Sequence, residues 1–244
     1  DLAFDANGWL YITAGDGLFE FDGGVNPEAE NAQELGTVLG KVLRIDPLGN
    51  NSANGNYGIF KSNVFAADND PDTLGEIYSY GHRNAQGLAI HPETGEIWLN
   101  EHGPRGGDEI NVVRAGANYG WPVIGFGVNY RGGTAIHEST AREGMEQPIH
   151  VWVPSIGVSG LTFYTGSRFP RWQGDAFAGG LSGGYLARID VEGGEIVREE
   201  VLLPGIGRVR DVQQGPDGYL YVAVEGRQGL LTPIIRLEPV DTRD

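Results

Sequence analysis

The stretch DVQQGPDGYLYVAVEG, residues 211–226, reads as a β-hairpin: a short strand, a Gly-Pro-Asp-Gly turn, and a second strand in which aromatic and β-branched residues alternate with others. The same order of strand, glycine-containing turn and aromatic-apolar strand stands at DLAFDANGWLYITAGD, residues 1–16, and at GLAIHPETGEIWLNEHG, residues 87–103. A looser copy is SGLTFYTGSRFPRWQGDAFAGG, residues 159–180. A third short strand follows each hairpin: KVLRIDP from Lys41, DEINVVRAG from Asp108, YLARID from Tyr185 and IIRLEP from Ile234. Three of these carry an arginine, an apolar residue and an acid in succession, at Arg44, Arg188 and Arg236.

Repetition over several tens of residues, with three or four short strands per unit, predicts an all-β fold, a β-propeller of which about four blades are present. One propeller domain over residues 1–244 is expected. A two-sheet sandwich is the competing architecture, but sandwiches do not repeat a hairpin plus third strand in this way. Long insertions at residues 18–40 and 130–149 interrupt the spacing, and such excursions commonly build a functional face.

Composition narrows the function. A formal net charge of −16 argues against nucleic acid and anionic membranes as partners, since both call for a basic face. Of 17 basic residues only Lys41 and Lys61 are lysines. The remaining arginines suit two-pronged recognition of carboxylate or phosphate, although genome composition or a saline habitat would produce the same bias. With no cysteine there is no disulfide, thiolate metal site or thiol nucleophile. No apolar run is long enough to span a bilayer, and no signal peptide is visible. The chain opens inside a strand without methionine, so its beginning is expected upstream of Asp1.

The polar motifs fall where blades would converge on a central axis. YGHRNAQG (80–87) leads into one hairpin and NEHGPRGGDEIN (100–111) leaves it, with more turn chemistry than a simple connection needs. WVPSIGVSG (152–160) precedes the next hairpin and GRVRDV (207–212) opens the last. Arg83, Arg208 and Arg210 are therefore expected to point into one pocket, and in an acidic chain this implies an anionic ligand. Strand alternation puts Arg208 and Arg210 on one side. The alternative is that they pair with local acids such as Asp211. The glycines of HGPRGG allow consecutive carbonyls to turn inward, which suits a hard cation such as calcium. Zinc is disfavoured by the absence of HExxH and by five scattered histidines, and GTVLGKV (36–42) lacks the spacing of a phosphate loop.

Together YGHRNAQGLA, EHGPRGGDEIN, GANYGWP, WVPSIGVSG and RVRDVQQGPDG resemble the soluble quinoprotein aldose sugar dehydrogenases, the glucose/sorbosone dehydrogenase family, from Asp1 to about Pro239. The resemblance implies a six-bladed propeller that holds pyrroloquinoline quinone (PQQ) and Ca2+ and oxidises the anomeric carbon of an aldose sugar by hydride transfer. It implies that Arg208 and Arg210 grip the quinone beside Arg83 and Asn84, that Ser155 hydrogen-bonds it, and that His102 and Asp108 line the pocket. Gly103 and Pro104 would offer carbonyls to calcium, and Glu109 with the Tyr119 carbonyl would match a second, structural calcium site. Asp16 would orient a catalytic histidine that lies before Asp1. On this resemblance that histidine and roughly two blades are outside the chain, which by itself should not turn over sugar. Ser182 stands where some members place a lysine on the quinone, which implies weaker cofactor retention. A periplasmic or secreted location is also implied, while the electron acceptor is left open. An open arc of blades would expose its faces and assemble with copies of itself. A calcium-dependent lactonase on a similar propeller would need carboxylate and Asn ligands from several blades, with no use for the RVR pair. A non-catalytic propeller scaffold would have no use for the central polar motifs.

Overall fold

The computed structural model describes residues 1–17, 27–67, 70–226 and 232–240, so residues 18–26 of the first insertion lie outside the described residues. Among these there is no α-helix, only short 3-10 turns such as Pro27–Ala32, Val64–Ala67 and Pro170–Trp172. The strands form four antiparallel sheets in chain order. The first contains β1 (Leu2–Phe4), β2 (Leu10–Ala14) and β3 (Lys41–Asp46), with β4 (Gly58–Ile59) and β5 (Ile77–Tyr80) sharing the outer edge of β3. The second is β6 (Ala85–Ile90), β7 (Ile97–Glu101), β8 (Asp108–Val113) and β9 (His150–Trp152). The third is β10 (Val158–Phe163), β11 (Ala176–Gly180), β12 (Tyr185–Glu192) and β13 (Glu195–Leu202). The fourth is β14 (Arg208–Gln214), β15 (Leu220–Glu225) and β16 (Ile234–Arg236). These are propeller blades, each a meander whose first strand lies innermost.

Hydrophobic burial occurs between blades. Tyr11 and Val42 of the first blade meet Leu88, Leu99 and Val113 of the second. Trp98, Ile110 and Trp152 meet Val158, Leu161 and Phe163, and Phe177 and Leu186 meet Val209, Val212 and Leu220. The second and third sheets are therefore packed on both faces, which is why their strands β7 and β11 are buried at every position.

The inner strands run side by side in the same direction. Ser159 Oγ donates to the Val209 carbonyl at 2.7 Å, Gly87 faces Leu161 and Gly160 faces Asp211, so equivalent positions lie at one level. Two glycines make this approach feasible. A Cβ on Gly87 would sit 2.5 Å from the Leu161 nitrogen, and one on Gly160 would sit 2.8 Å from the Asp211 Cα. Near this level β6, β10 and β14 each carry a register shift, between Ala85 and Gly87, between Ser159 and Leu161, and between Val209 and Asp211. These bulges bend the strands and re-aim the residues before them.

The arginines of the third strands hold the outer blade. Arg44 lies over Trp9, Phe60 and Tyr78 and donates to Asn63 Oδ1 at 2.7 Å. Arg188 ion-pairs with Asp175 and Glu200, both at 2.6 Å, and Arg236 with Glu238. The outer strands β5, β9 and β13 escape the sequence pattern. EIVREEVL in β13 is edge sequence, charged and half-exposed, and its pairing is set by β12.

Candidate functional site

Because the inner strands are parallel to one another, their starts share one end of the molecule. Arg83 and Asn84 lead into β6, Ser155 leads into β10, and Arg208 opens β14. The β2–β3 connection with Asp16 and the β7–β8 connection with His102 to Gly107 reach the same end.

Arg83 is the hinge of the arrangement. Its Nη1 donates to the His102 carbonyl at 3.0 Å and to the Gly103 carbonyl at 3.1 Å, and its guanidinium lies 5.2 Å from the centre of the Trp121 ring. Trp121 Nε1 in turn donates to Asp16 Oδ2 at 2.8 Å, and the Asp16 amide donates to the Arg83 carbonyl at 2.8 Å. Asn84 Oδ1 accepts from Gln86 Nε2 at 2.9 Å, while the Asn84 carbonyl accepts from the His102 amide at 3.0 Å. Asp16, Arg83, Asn84, His102 and Gly103 are thus one connected cluster, joined by a tryptophan that the sequence reading quoted within GANYGWP without giving it a role.

The loop after β7 is fixed by its own main chain. Asp108 accepts from the Gly103 amide at 3.1 Å through Oδ1 and from the Val158 amide at 2.9 Å through Oδ2, bracing the loop against β10. His102 Nε2 is 2.6 Å from the Val158 carbonyl, which only accepts, so Nε2 carries the proton. Burial lowers the His102 pKa against the opposing Asp108 charge, so its neutral form keeps Nδ1 as an acceptor. Ser155 Oγ accepts from the Gly106 amide at 3.0 Å. Gly103 has no room for a side chain, since a Cβ would lie 2.2 Å from the Gly106 carbonyl oxygen and 2.3 Å from that of Gly107.

Two spaces open on either side of this turn and share His102, Gly103 and Pro104 as their wall. The outer cleft, broad and partly open to solvent, is lined also by Arg105, Asp108, Ser155 and Ser182. The inner one, a narrow space with room for about one water-sized group, reaches Arg83, Glu101, Glu109, Tyr119, Trp121 and His137. Burial, then the nearby Glu101 charge, pushes the Glu109 carboxyl up to about 8. Burial also opposes ionisation of Glu101, but the His82 charge and hydrogen bonds from His82 and the Arg83 amide outweigh it and hold its pKa below the usual carboxylate value. Tyr119 stacks on His82 with ring centres 4.5 Å apart, and its hydroxyl donates to the Val112 carbonyl at 2.6 Å.

Arg208 and Arg210 meet at a different partner. Both ion-pair with Glu225, by Nε at 3.2 and 2.6 Å, and neither shares a partner with Arg83 among the described residues. Arg210 is the extra residue of the β14 bulge, so simple strand alternation does not describe how the two come together. Their local acid is the cross-strand Glu225, not Asp211. They stay about half exposed, at 44% and 48%, at the start of β14.

The donor set suits a hard cation and an anionic ligand. The main-chain carbonyl of Gly103 and the carboxyl of Glu109 are oxygen ligands of the kind calcium takes, whereas both oxygens of Glu101 are already engaged by His82, Asn111 and the Arg83 amide. Among the described residues no group of three or more His, Asp or Glu side chains is arranged to hold a metal, so carbonyls would have to supply part of any coordination. Arg83 lines the inner space and the outer cleft carries Arg105, whereas Arg208 and Arg210 line neither and are held by Glu225, so the three arginines expected in one pocket do not share either of these two spaces.

Residues 1–233 match the family described as Glucose / Sorbosone dehydrogenase. The chain belongs to this family. It is 39% identical over 236 residues to the aldose sugar dehydrogenase YliI of Escherichia coli strain K12, covering 96% of this chain and 58% of that protein. A crystal structure of glucose dehydrogenase superposes with a TM-score of 0.80 at 41% identity, over 93% of this chain and 61% of that one. The PQQ-bound form of aldose sugar dehydrogenase from Streptomyces coelicolor superposes with a TM-score of 0.69 at 26% identity, over 97% of this chain and 60% of that one. The chain thus spans about three-fifths of the length of each of these three relatives. No helix among the described residues is long and apolar enough to cross a membrane.

Proposed function

We propose that this chain carries the quinone-binding blades of a PQQ-dependent dehydrogenase that oxidises the anomeric carbon of aldose sugars in the periplasm or outside the cell. The observation that carries the reading is the cluster in which Arg83 bridges the His102 and Gly103 carbonyls, at the same end as Arg208, Arg210 and Ser155. In this reading Arg83, Arg208 and Arg210 hold the carboxylates of the quinone, and Asn84 and Ser155 supply neutral hydrogen bonds. The carbonyls of Gly103 and Pro104 hold calcium, and Glu109 with the Tyr119 carbonyl holds a second calcium. When bound, the metal and quinone supply the electrophile that accepts hydride from the sugar carbon.

The chain's own residues orient and balance charge. Asp108 braces the turn, which fixes where the Gly103 carbonyl points. His102 holds its ring against β10 through Nε2–H and presents Nδ1 as an acceptor. In this reading Asp16, which accepts from Trp121 Nε1, would orient the histidine base that the family resemblance implies.

The test adds calcium and PQQ to the full-length protein, then glucose or another aldose, and follows the absorbance of reduced quinone. Appearance of the reduced form supports the reading. Absence of any change with a panel of aldoses, in protein that has demonstrably bound quinone, refutes it.

A further inference from the structure

Behind Arg83 lies a buried polar chain that no step of the proposed chemistry uses. Ser79 Oγ is 2.9 Å from His82 Nε2, and His82 Nδ1 is 3.0 Å from Glu101 Oε1. Ser79 and His82 are wholly buried and Glu101 is 5% exposed. Asn111 Nδ2 donates to the same Oε1 at 3.2 Å, which leaves Oε2 to accept from the Arg83 amide at 2.7 Å. Arg83 then reaches forward to the carbonyls of the two residues that follow Glu101. The contacts close a ring: the side chain of residue 101 grips the main chain of residue 83, and the side chain of residue 83 grips the main chain of residues 102 and 103.

A carboxylate at this depth is costly to desolvate, on the order of what its partners return, and an apolar pair of similar volume would join two strands at least as well. What an apolar pair cannot do is fix the Arg83 amide and set the direction in which its side chain leaves. Only two of the five guanidinium N–H groups are used on the 102–103 carbonyls, so the orientation of Arg83 decides where the rest point.

We propose that Glu101, braced by His82 and Ser79, is a positioning residue for the anion site, acting through Arg83 alone. This rests on the reading that Arg83 faces a carboxylate-bearing quinone.

The test is a double-mutant cycle in the full-length protein, with Glu101→Gln and Arg83→Ala, reading PQQ affinity by calorimetry in calcium buffer. The glutamine keeps the shape and an acceptor for the Arg83 amide but loses the charge and turns a donor toward His82. The expected result is about a tenfold loss of affinity from Glu101→Gln alone, the size of one charge-assisted hydrogen bond, and less than about a twofold change in the Arg83→Ala background. Equal losses in both backgrounds, or none in the first, overturn the proposal. His82→Gln, which leaves the carboxylate in place, gives a smaller loss with the same dependence on Arg83, and serves if Glu101→Gln does not fold. An additive loss from His82→Gln likewise overturns the proposal.

A second readout needs no quinone. In nitrogen-15 spectra of the metal-free protein the Arg83 amide proton is displaced downfield by the carboxylate, and Glu101→Gln moves it upfield while the amides of Leu99 and Ile110 stay. An unmoved Arg83 amide refutes the clamp. If the unaltered protein binds no quinone, the functional reading falls and the amide shift still decides whether Glu101 positions Arg83.

Discussion

Replacing Gly160 by alanine tests whether the inner strands are spaced by their glycines. Gly160 does not have a positive φ, so alanine is not opposed by its own backbone and the effect is one of space. The added Cβ would lie 2.3 Å from Asp211 Oδ1, 2.8 Å from the Asp211 Cα and 3.0 Å from the Val212 nitrogen. The carboxylate oxygen can swing away, but the Cα and nitrogen belong to β14 and move only with the strand. An ordinary contact needs about 3.4 Å or more, so β10 and β14 must part by roughly half an ångström across a packed interface that includes Val209 and Phe177. Overpacking of this kind costs about 1–3 kcal/mol. With a urea dependence of about 1–3 kcal/mol per molar, the unfolding midpoint of Gly160→Ala should fall by about 1 M. The control is Gly15→Ala, whose Cβ would meet Asn84 Oδ1 at an ordinary 3.4 Å, with a midpoint change of less than about a quarter of that. An unchanged midpoint for Gly160→Ala would show that side-chain-free contact between inner strands is not what sets blade spacing.

Three further outcomes are expected. Arg188→Met strands the buried Asp175 carboxylate, which it contacts at 2.6 Å, and should lower stability by about 3–5 kcal/mol in chemical denaturation, whereas a loss under about 1 kcal/mol would mean the pair is replaceable. Lys41 is buried with its ammonium on the Asn31, Ala32 and Leu39 carbonyls, and burial lowers its pKa from 10.5 to about 8. Since the folded value lies below the unfolded one, the unfolded chain binds more protons between those limits, so this group makes stability rise as pH goes from about 8 to 10.5; the rise should be missing in Lys41→Met when denaturation is measured across that range. Ser182, in the outer cleft with Oγ 3.4 Å from the Ser155 carbonyl, should on conversion to lysine slow the release of bound PQQ in dilution experiments, and an unchanged release rate would remove the cleft from the cofactor's path.

How far the sequence could be read follows from what each residue interacts with. The four hairpins and their third strands were legible because turn chemistry and alternation act within a dozen residues, and the pairings Gln214 with Leu220 and Ile90 with Ile97 follow from turns written in the chain. The outer strands β5, β9 and β13 were not legible, since half-exposed edge sequence takes its pairing from the strand beside it. The motifs around the site were visible as excess polar and glycine content. Trp121 was quoted but not assigned, because its partners Asp16 and Arg83 lie far from it in the sequence. Glu101 was visible too, yet nothing local marks it as the acceptor for an amide 18 residues earlier.

By itself the sequence determined the repeat, the all-β class and the family, because periodicity and turn residues are local signals and several long motifs stand in order. Only the tertiary structure decided that Arg83 clasps the turn after Glu101, that Arg208 and Arg210 meet on Glu225, and that Asp108 spends both oxygens on main-chain amides. Those choices depend on distances between inner strands that come together only when the blades pack, and sequence separation carries no record of such distances.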